Sequence, residues 1–361
     1  MTEPRLIAAR RSPVMPRGGA FAGLALHELA APVIAAVLKD AGIALDQVDE
    51  LILSNALGAG GNPARLAALA AGLPERVAGL SVDRQCAGGL DAIGIAAALV
   101  ASGQARVVLA GGVESYSRRP LRLAQAPGQT PQPYDRPPFT PWPDRDPDMT
   151  DAAAALADRL GISAARQQAW AVRSHTLARA SAQPEIVPVA GQDRDGFTRT
   201  LTPALAARAP RLAGSVNAAT TAVEADGAAF ALVVAPDIAA KARRSLRIRA
   251  CATLGAAPEE PGLAPVAAIR RVLDRTGLAP DALEQIELME AYAVQALACM
   301  DACALPEKRV NPGGGALARG HPIGASGAIL VARLFHGLQH GSGLAAIAAA
   351  GGIGSALVLQ I

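Results

Sequence analysis

Val37-Leu38-Lys39-Asp40-Ala41-Gly42-Ile43-Ala44-Leu45-Asp46 places apolar residues one helical turn apart, stops at a glycine, and passes through an acidic turn. It then runs into the apolar positions Val48, Leu51 and Leu53. This order predicts an amphipathic helix, a glycine stop, a short turn and a buried strand. The pattern returns in Val272-Leu273-Asp274-Arg275-Thr276-Gly277-Leu278-Ala279-Pro280-Asp281, and its register continues without a gap into Leu283, Ile286 and Leu288. A second pair follows. Gly111-Gly112-Val113-Glu114-Ser115 is similar to Gly351-Gly352-Ile353-Gly354-Ser355, each at the end of an apolar run. Two matches in order predict a duplicated α/β chain. Helix alternating with apolar strand in each half predicts layered sheets covered by helices.

Between the halves the pattern breaks. Arg118 to Arg145 is rich in Pro, Gln and Asp and is expected to be irregular. Asp151–Ala182 reads as helices, and Ala213–Pro236 returns to an apolar strand pattern. The division expected is residues 1–115 for the first half, 116–235 for an inserted domain and 236–361 for the second half.

Composition adds constraints. The 361 residues are 51% hydrophobic and only 3% aromatic, with 36 Gly, so cores are packed by small side chains at close range. A net charge of +3 does not suit nucleic acid and is at most weakly compatible with an anionic ligand. The N-terminus lacks the apolar stretch of a signal peptide. The longer apolar stretches are broken by Gly or charge, so no membrane span is expected. A cytoplasmic location follows as an expectation. Cys86, Cys251, Cys299 and Cys303 are too few and too scattered for a disulfide framework. Cys299 and Cys303 are spaced one helical turn apart, but no His or Cys pair completes a zinc site, so no metal is expected.

Two positions carry candidate chemistry. Ala78–Val82 reads as a short strand and Leu90–Val100, apolar nearly all round, as a buried helix. Cys86 therefore falls at a strand-to-helix turn at a helix N-terminus, where exposed amides and the helix dipole favour a thiolate and an oxyanion. A small buried cysteine is the alternative reading. The stretch Asn311–Gly327 holds eight Gly or Pro among seventeen residues, with His321 fixed between Gly320 and Pro322. Imidazole suits activation of a thiol near neutral pH. The alternative is a histidine that satisfies loop carbonyls. His27, His175, His336 and His340 read as structural.

At this point a family is recognisable. Asp83-Arg84-Gln85-Cys86-Ala87-Gly88-Gly89 resembles the nucleophile segment of the thiolases. Gly111-Gly112-Val113-Glu114-Ser115-Tyr116-Ser117 resembles their GGVESMS stretch, Asn62-Pro63-Ala64-Arg65 their NPAR turn, Asp226-Gly227-Ala228-Ala229 their DGAA segment, and Gly320-His321-Pro322 their GHP block. The matches run in order from about residue 5 to the end. The resemblance implies a thiolase fold of two five-stranded halves in five αβαβα layers with an inserted loop domain. It implies a homodimer or homotetramer, coenzyme A thioesters as substrates, no tightly bound cofactor and no metal. It also implies that His321 activates Cys86, which takes the acyl group.

The chain departs from the family where the second half-reaction would be served. The family's second cysteine, in a C-x-G segment, falls at Ala348, and the glycine of that segment at Ala350, whose amide is expected to join that of Cys86 in holding an oxyanion. The NEAF segment matches Met289-Glu290-Ala291-Tyr292, so the asparagine that holds a catalytic water is Met289. Met149 matches a methionine that lines the pantetheine channel, and Ala222 a pantetheine-contacting serine. The expected activity is acyl transfer from coenzyme A through Cys86, with an impaired or altered carbon–carbon step. Tyr292, Glu290 or a substrate group are the candidates to replace what is lost. The alternatives are acyl transfer to water or a heteroatom, and a non-catalytic coenzyme A-binding partner subunit.

Overall fold

The computed structural model describes residues 3–58 and 60–361. Strands β1 (Arg5–Arg11), β2 (Glu50–Ser54), β3 (Leu80–Val82), β4 (Val107–Glu114) and β5 (Ala225–Val234) build the first half of the sheet. Strands β6 (Leu246–Gly255), β7 (Leu283–Leu288), β8 (Ser342–Ala349) and β9 (Ile353–Gln360) build the second. The order is β7-β8-β9-β6-β1-β5-β4-β2-β3, and the two-residue strand Met15–Pro16 pairs with β5 as a tenth. Within the sheet the two halves meet where Arg5 and Leu6 of β1 pair antiparallel with Arg247 and Leu246 of β6.

Each half repeats one topology. β3, β2 and β4 are parallel to each other, and β5 and β1 follow antiparallel. In the second half β7 and β8 are parallel, and β9 and β6 follow antiparallel. Where β3 stands in the first half, the second has only a parallel bridge between Ile286 and Val310.

The predicted repeat of helix, glycine, turn and strand is present in both copies. Helix α1 (Leu26–Ala41) ends at Gly42 with φ 65°, and helix α6 (Ala264–Thr276) ends at Gly277 with φ 66°. Each is followed by one turn of 3₁₀-helix and then by β2 or β7. A left-handed residue closes the helix at little cost only when it lacks a Cβ. The second sequence match is a coincidence of composition. Gly111 and Gly112 lie within β4, whereas Gly351 and Gly352 form the left-handed turn between β8 and β9. The strand equivalent to β4 is β8.

Five layers follow from strand alternation. Along β5, Ala229, Ala231 and Val233 face one core and Ala228, Phe230, Leu232 and Val234 another. Along β8, Ala345 and Ile347 share the first of these cores, while Leu344 and Ala346 enter a third. Helices α3 (Gly88–Ser102) and α8 (Ile323–Gly337) fill the central layer between the sheets. Helices α1 and α2 (Pro63–Ala70) cover one outer face, and α6 and α7 (Ala293–Cys303) the other. Gln85–Ser102 is long and apolar enough to cross a membrane, but it packs between the sheets.

Close approach in the central layer depends on missing side chains. A Cβ on Gly327 would lie 2.4 Å from the Leu90 amide nitrogen, and one on Gly89 would lie 2.7 Å from the Gly324 carbonyl oxygen.

The segment between β4 and β5 carries a short hairpin, Arg122–Ala124 with Gln132–Tyr134, and helices α4 (Met149–Leu160) and α5 (Ala164–Ala180). The boundary expected at residue 235 is displaced. Ala225–Val234 is β5, which pairs with both β1 and β4 and is buried throughout. It belongs to the first half of the sheet, and the inserted residues end before it. Its apolar run is long because both faces are covered.

Candidate active site

Cys86 sits in a single 3₁₀ turn, Gln85–Ala87, that leads directly into α3. Gln85 adopts φ 49°, a left-handed conformation uncommon for a residue with a Cβ, and its amide donates to Asp83 Oδ1 at 2.8 Å. The turn thus presents the thiol at the end of the central helix.

His321 approaches from the segment just before the other central helix, bridged to Glu224. Its Nε2 lies 3.1 Å from Cys86 Sγ, across 235 residues of sequence. Its Nδ1 lies 2.6 Å from Ser326 Oγ, and that hydroxyl lies 2.9 Å from the Pro322 carbonyl oxygen. A hydroxyl has one proton to give. Ser326 donates it to Pro322, so it accepts from Nδ1–H. The proton on the ring is then on Nδ1, and Nε2 carries the free lone pair that faces the thiol.

Burial sets the charge state of the pair. It raises the Cys86 thiol to about 12, against smaller opposing contributions from the Cys86 and Ala350 amides. It lowers His321 to about 4. The thiolate expected from the helix N-terminus is therefore disfavoured at rest, because desolvation outweighs the two amides. The resting pair is a neutral thiol beside a neutral imidazole. The amides that point at Sγ are those of Cys86 and Ala350.

The pair opens onto a cavity of about 350 Å³. Met149, Ala222, Ala348 and Ala350 line it. Ala152, Ala153 and Leu156 of α4 supply apolar lining. Tyr292 lines it as well, its hydroxyl 3.1 Å from Thr150 Oγ1. Met289 does not. It is 1% exposed and packs in the central core with Ala316, Ala325 and Ile329, its amide bound to the Ala346 carbonyl. An apolar side chain at the end of β7 is drawn into the core and away from substrate.

Glu290 is likewise not free for chemistry. Its Oε1 accepts from Trp170 Nε1 at 3.0 Å and Asn311 Nδ2 at 2.7 Å. Its Oε2 accepts from Ser174 Oγ at 2.8 Å and the Leu317 amide at 3.2 Å. Trp170 and Ser174 belong to α5 of the insertion, and Asn311 and Leu317 to the loop before His321. The carboxylate ties these two pieces together.

The remaining candidates are structural. His175 Nδ1 accepts from the Arg199 amide, and His336 Nε2 lies 2.8 Å from the Ala9 carbonyl. Cys299 donates to the Gly262 carbonyl at 3.2 Å.

Comparison with known proteins follows the same lines. Residues 5–237 match the family model "Thiolase, N-terminal domain" and residues 242–361 match "Thiolase, C-terminal domain". A Bacillus subtilis (strain 168) protein named "Putative acetyl-CoA C-acetyltransferase YhfS" is 37% identical over 373 residues, covering 99% of this chain and 98% of that protein. A Staphylococcus haemolyticus protein named "Putative acetyl-CoA C-acetyltransferase VraB" is 35% identical over 381 residues, covering 100% and 99%. The crystal structure of the Bacillus anthracis acetyl-CoA acetyltransferase superposes with a TM-score of 0.92 at 32% identity, covering 100% of this chain and 99% of that one. Fold and relatives together define an acyltransferase. The chain belongs to the thiolase family.

Proposed function

We propose that this chain transfers acyl groups to and from coenzyme A through a thioester on Cys86. One observation carries the reading: the lone pair of His321 Nε2 stands 3.1 Å from Cys86 Sγ, with the opposite ring nitrogen tied to Ser326. In the acylation step the thiol proton passes to Nε2 as Sγ attacks the thioester carbonyl. The carbonyl oxygen takes the negative charge between the Cys86 and Ala350 amides. The carbon–sulfur bond then breaks and coenzyme A leaves. The similarity to proteins named as acetyl-CoA acetyltransferases supports coenzyme A thioesters as the substrates. The chain is further proposed to work in the cytoplasm as a homodimer or homotetramer, which light scattering of the purified protein would check.

The carbon–carbon step is the open half of the reaction. Ala348 offers a methyl group to the cavity, and Glu290 is fully engaged. That favours, as a second reading, an enzyme that passes its acyl group to water, an amine or another thiol. Mass spectrometry after incubation with acetyl-CoA is the test. An acetyl adduct on the wild-type chain that is absent in Cys86→Ala supports the proposal. Coenzyme A binding without an adduct would overturn it in favour of a non-catalytic subunit.

A further inference from the structure

Carbon–carbon cleavage needs a group that gives a proton to the departing carbon. Few side chains lining the cavity have one to give. Glu224 is exposed and paired with Arg17 at 2.8 Å, and Glu260 is paired with Arg159 at 2.7 Å. Thr221 spends its hydroxyl proton on the Asn217 carbonyl at 3.1 Å. Tyr292 is engaged with Thr150. Gln295 accepts from the Ala291 amide. Cys86 and His321 form the nucleophile pair.

Tyr116 remains. It lies two residues beyond the end of β4, is 9% exposed, and lines the same cavity as Cys86, His321 and Ala348. Among the described residues no protein group hydrogen-bonds its hydroxyl. Such a hydroxyl on a held ring is available to substrate. Tyr116 also stands where the GGVESMS segment has methionine, so the phenol appears in the same chain that has Ala348 in place of a second thiol.

We propose that the Tyr116 hydroxyl carries the second proton of this site and protonates the leaving carbon when a 3-ketoacyl thioester is cleaved. The inference rests on the acyl-enzyme reading above. The Cys86 proton moves to His321 Nε2, and Sγ bonds to the C3 carbonyl carbon. The C2–C3 bond breaks, its electron pair stays on C2, and C2 takes the Tyr116 proton. The shortened thioester leaves. The thiol of incoming coenzyme A gives its proton to the Tyr116 oxygen and its sulfur attacks the acyl carbonyl. Cys86 Sγ departs and recovers its proton from His321. Both groups end as they began.

Burial holds the phenol above its usual range, and a negative charge on Cys86 would raise it further. Tyr116 therefore holds its proton at rest and yields it only to a strong base, such as the carbanion that forms at C2.

The experiment compares cleavage of acetoacetyl-CoA by the wild-type chain, Tyr116→Phe, Tyr116→Met and the pair Tyr116→Phe with Ala348→Cys. Both single variants should lose about 10²–10⁴-fold in cleavage rate and still form an acetyl adduct on Cys86. The thiol at position 348 should return at least about tenfold of the loss, as a replacement acid of the same class of function. Undiminished cleavage in Tyr116→Phe would overturn the proposal. So would a loss that Ala348→Cys does not relieve, because it would mark the ring as structural. Absence of any adduct on wild-type Cys86 overturns the acyl-enzyme reading itself, and is seen before any tyrosine variant is made.

Discussion

A methyl group on Gly112 would lie 2.0 Å from the Gly324 carbonyl oxygen. Gly324 is in the first turn of α8, three residues after His321. Strand β4 thus sets how closely the helix that follows the histidine can approach. Gly112→Ala should force α8 outward, destabilise the fold by about 1–3 kcal/mol, and slow acylation of Cys86 by more than the stability loss explains. Denaturant unfolding and rapid-quench acylation on the same samples check this. A variant equally destabilised but acylating at the wild-type rate would refute it.

Ser326 determines which ring nitrogen of His321 bears the proton. Ser326→Ala removes the acceptor for Nδ1–H and frees the ring to place its proton on Nε2, facing the thiol. Acylation should fall about ten- to a hundredfold, part of what a positioned base supplies. Ser326→Thr, if it folds, should retain more activity than the alanine variant. Single-turnover rates with acetyl-CoA decide it.

The resting pair is neutral, with the thiol held up at about 12 and the imidazole down at about 4. Between about pH 5 and pH 9 both groups keep these states. The ultraviolet absorbance of thiolate should therefore not differ between the wild-type chain and Cys86→Ala across that range. A Cys86-dependent thiolate signal at neutral pH would show that the pair is ionised.

Two buried groups oppose each other in acid. His321 sits at about 4 against 6.5 in the unfolded chain, so the unfolded state alone takes its proton as pH falls from 6.5 to 4. That costs the wild-type chain at most about 3 kcal/mol. Glu114, buried under the Ala56, Leu57 and Gly324 amides, is raised from 4.5 to about 7, and gains stability as pH falls from 7 to 4.5. Relative to wild type, His321→Asn should become more stable as pH falls from 6.5 to 4. Glu114→Gln should become less stable from 7 to 4.5. Denaturant midpoints across pH check both signs.

Met289 stands at the asparagine of the NEAF segment, yet it is a core residue here. Met289→Asn should cost about 2 kcal/mol or more in stability, as a polar amide replaces packed apolar volume. It should not raise carbon–carbon cleavage. A gain in cleavage from this change alone would place position 289 in the site.

What the sequence made legible was local. Gly42 and Gly277 read correctly because a left-handed helix stop needs glycine at one position, next to the helix that it ends. Gly351-Gly352 misled because two glycines serve a strand in one place and a turn in another, and the pair alone does not distinguish them. The wrong boundary at residue 235 has a related cause. Nothing within Ala225–Val234 records that its partners are β1 and β4. Cys86 and His321 stood out by their own surroundings. Ser326 did not, because its role depends on a bond five residues back and on a second proton acceptor, Pro322. Met289 was assigned by alignment, and alignment carries no information about which way a side chain turns.

Glu290 joins α5 of the insertion to the loop that delivers His321, with all four of its hydrogen bonds facing away from substrate. The inserted wall and the histidine loop are therefore referenced to one another by a fastening set apart from the cavity lining. Ala152, Ala153 and Leu156 lie outside that fastening. Larger or smaller side chains at those three positions would therefore reshape the cavity wall without touching the bonds that seat the histidine loop.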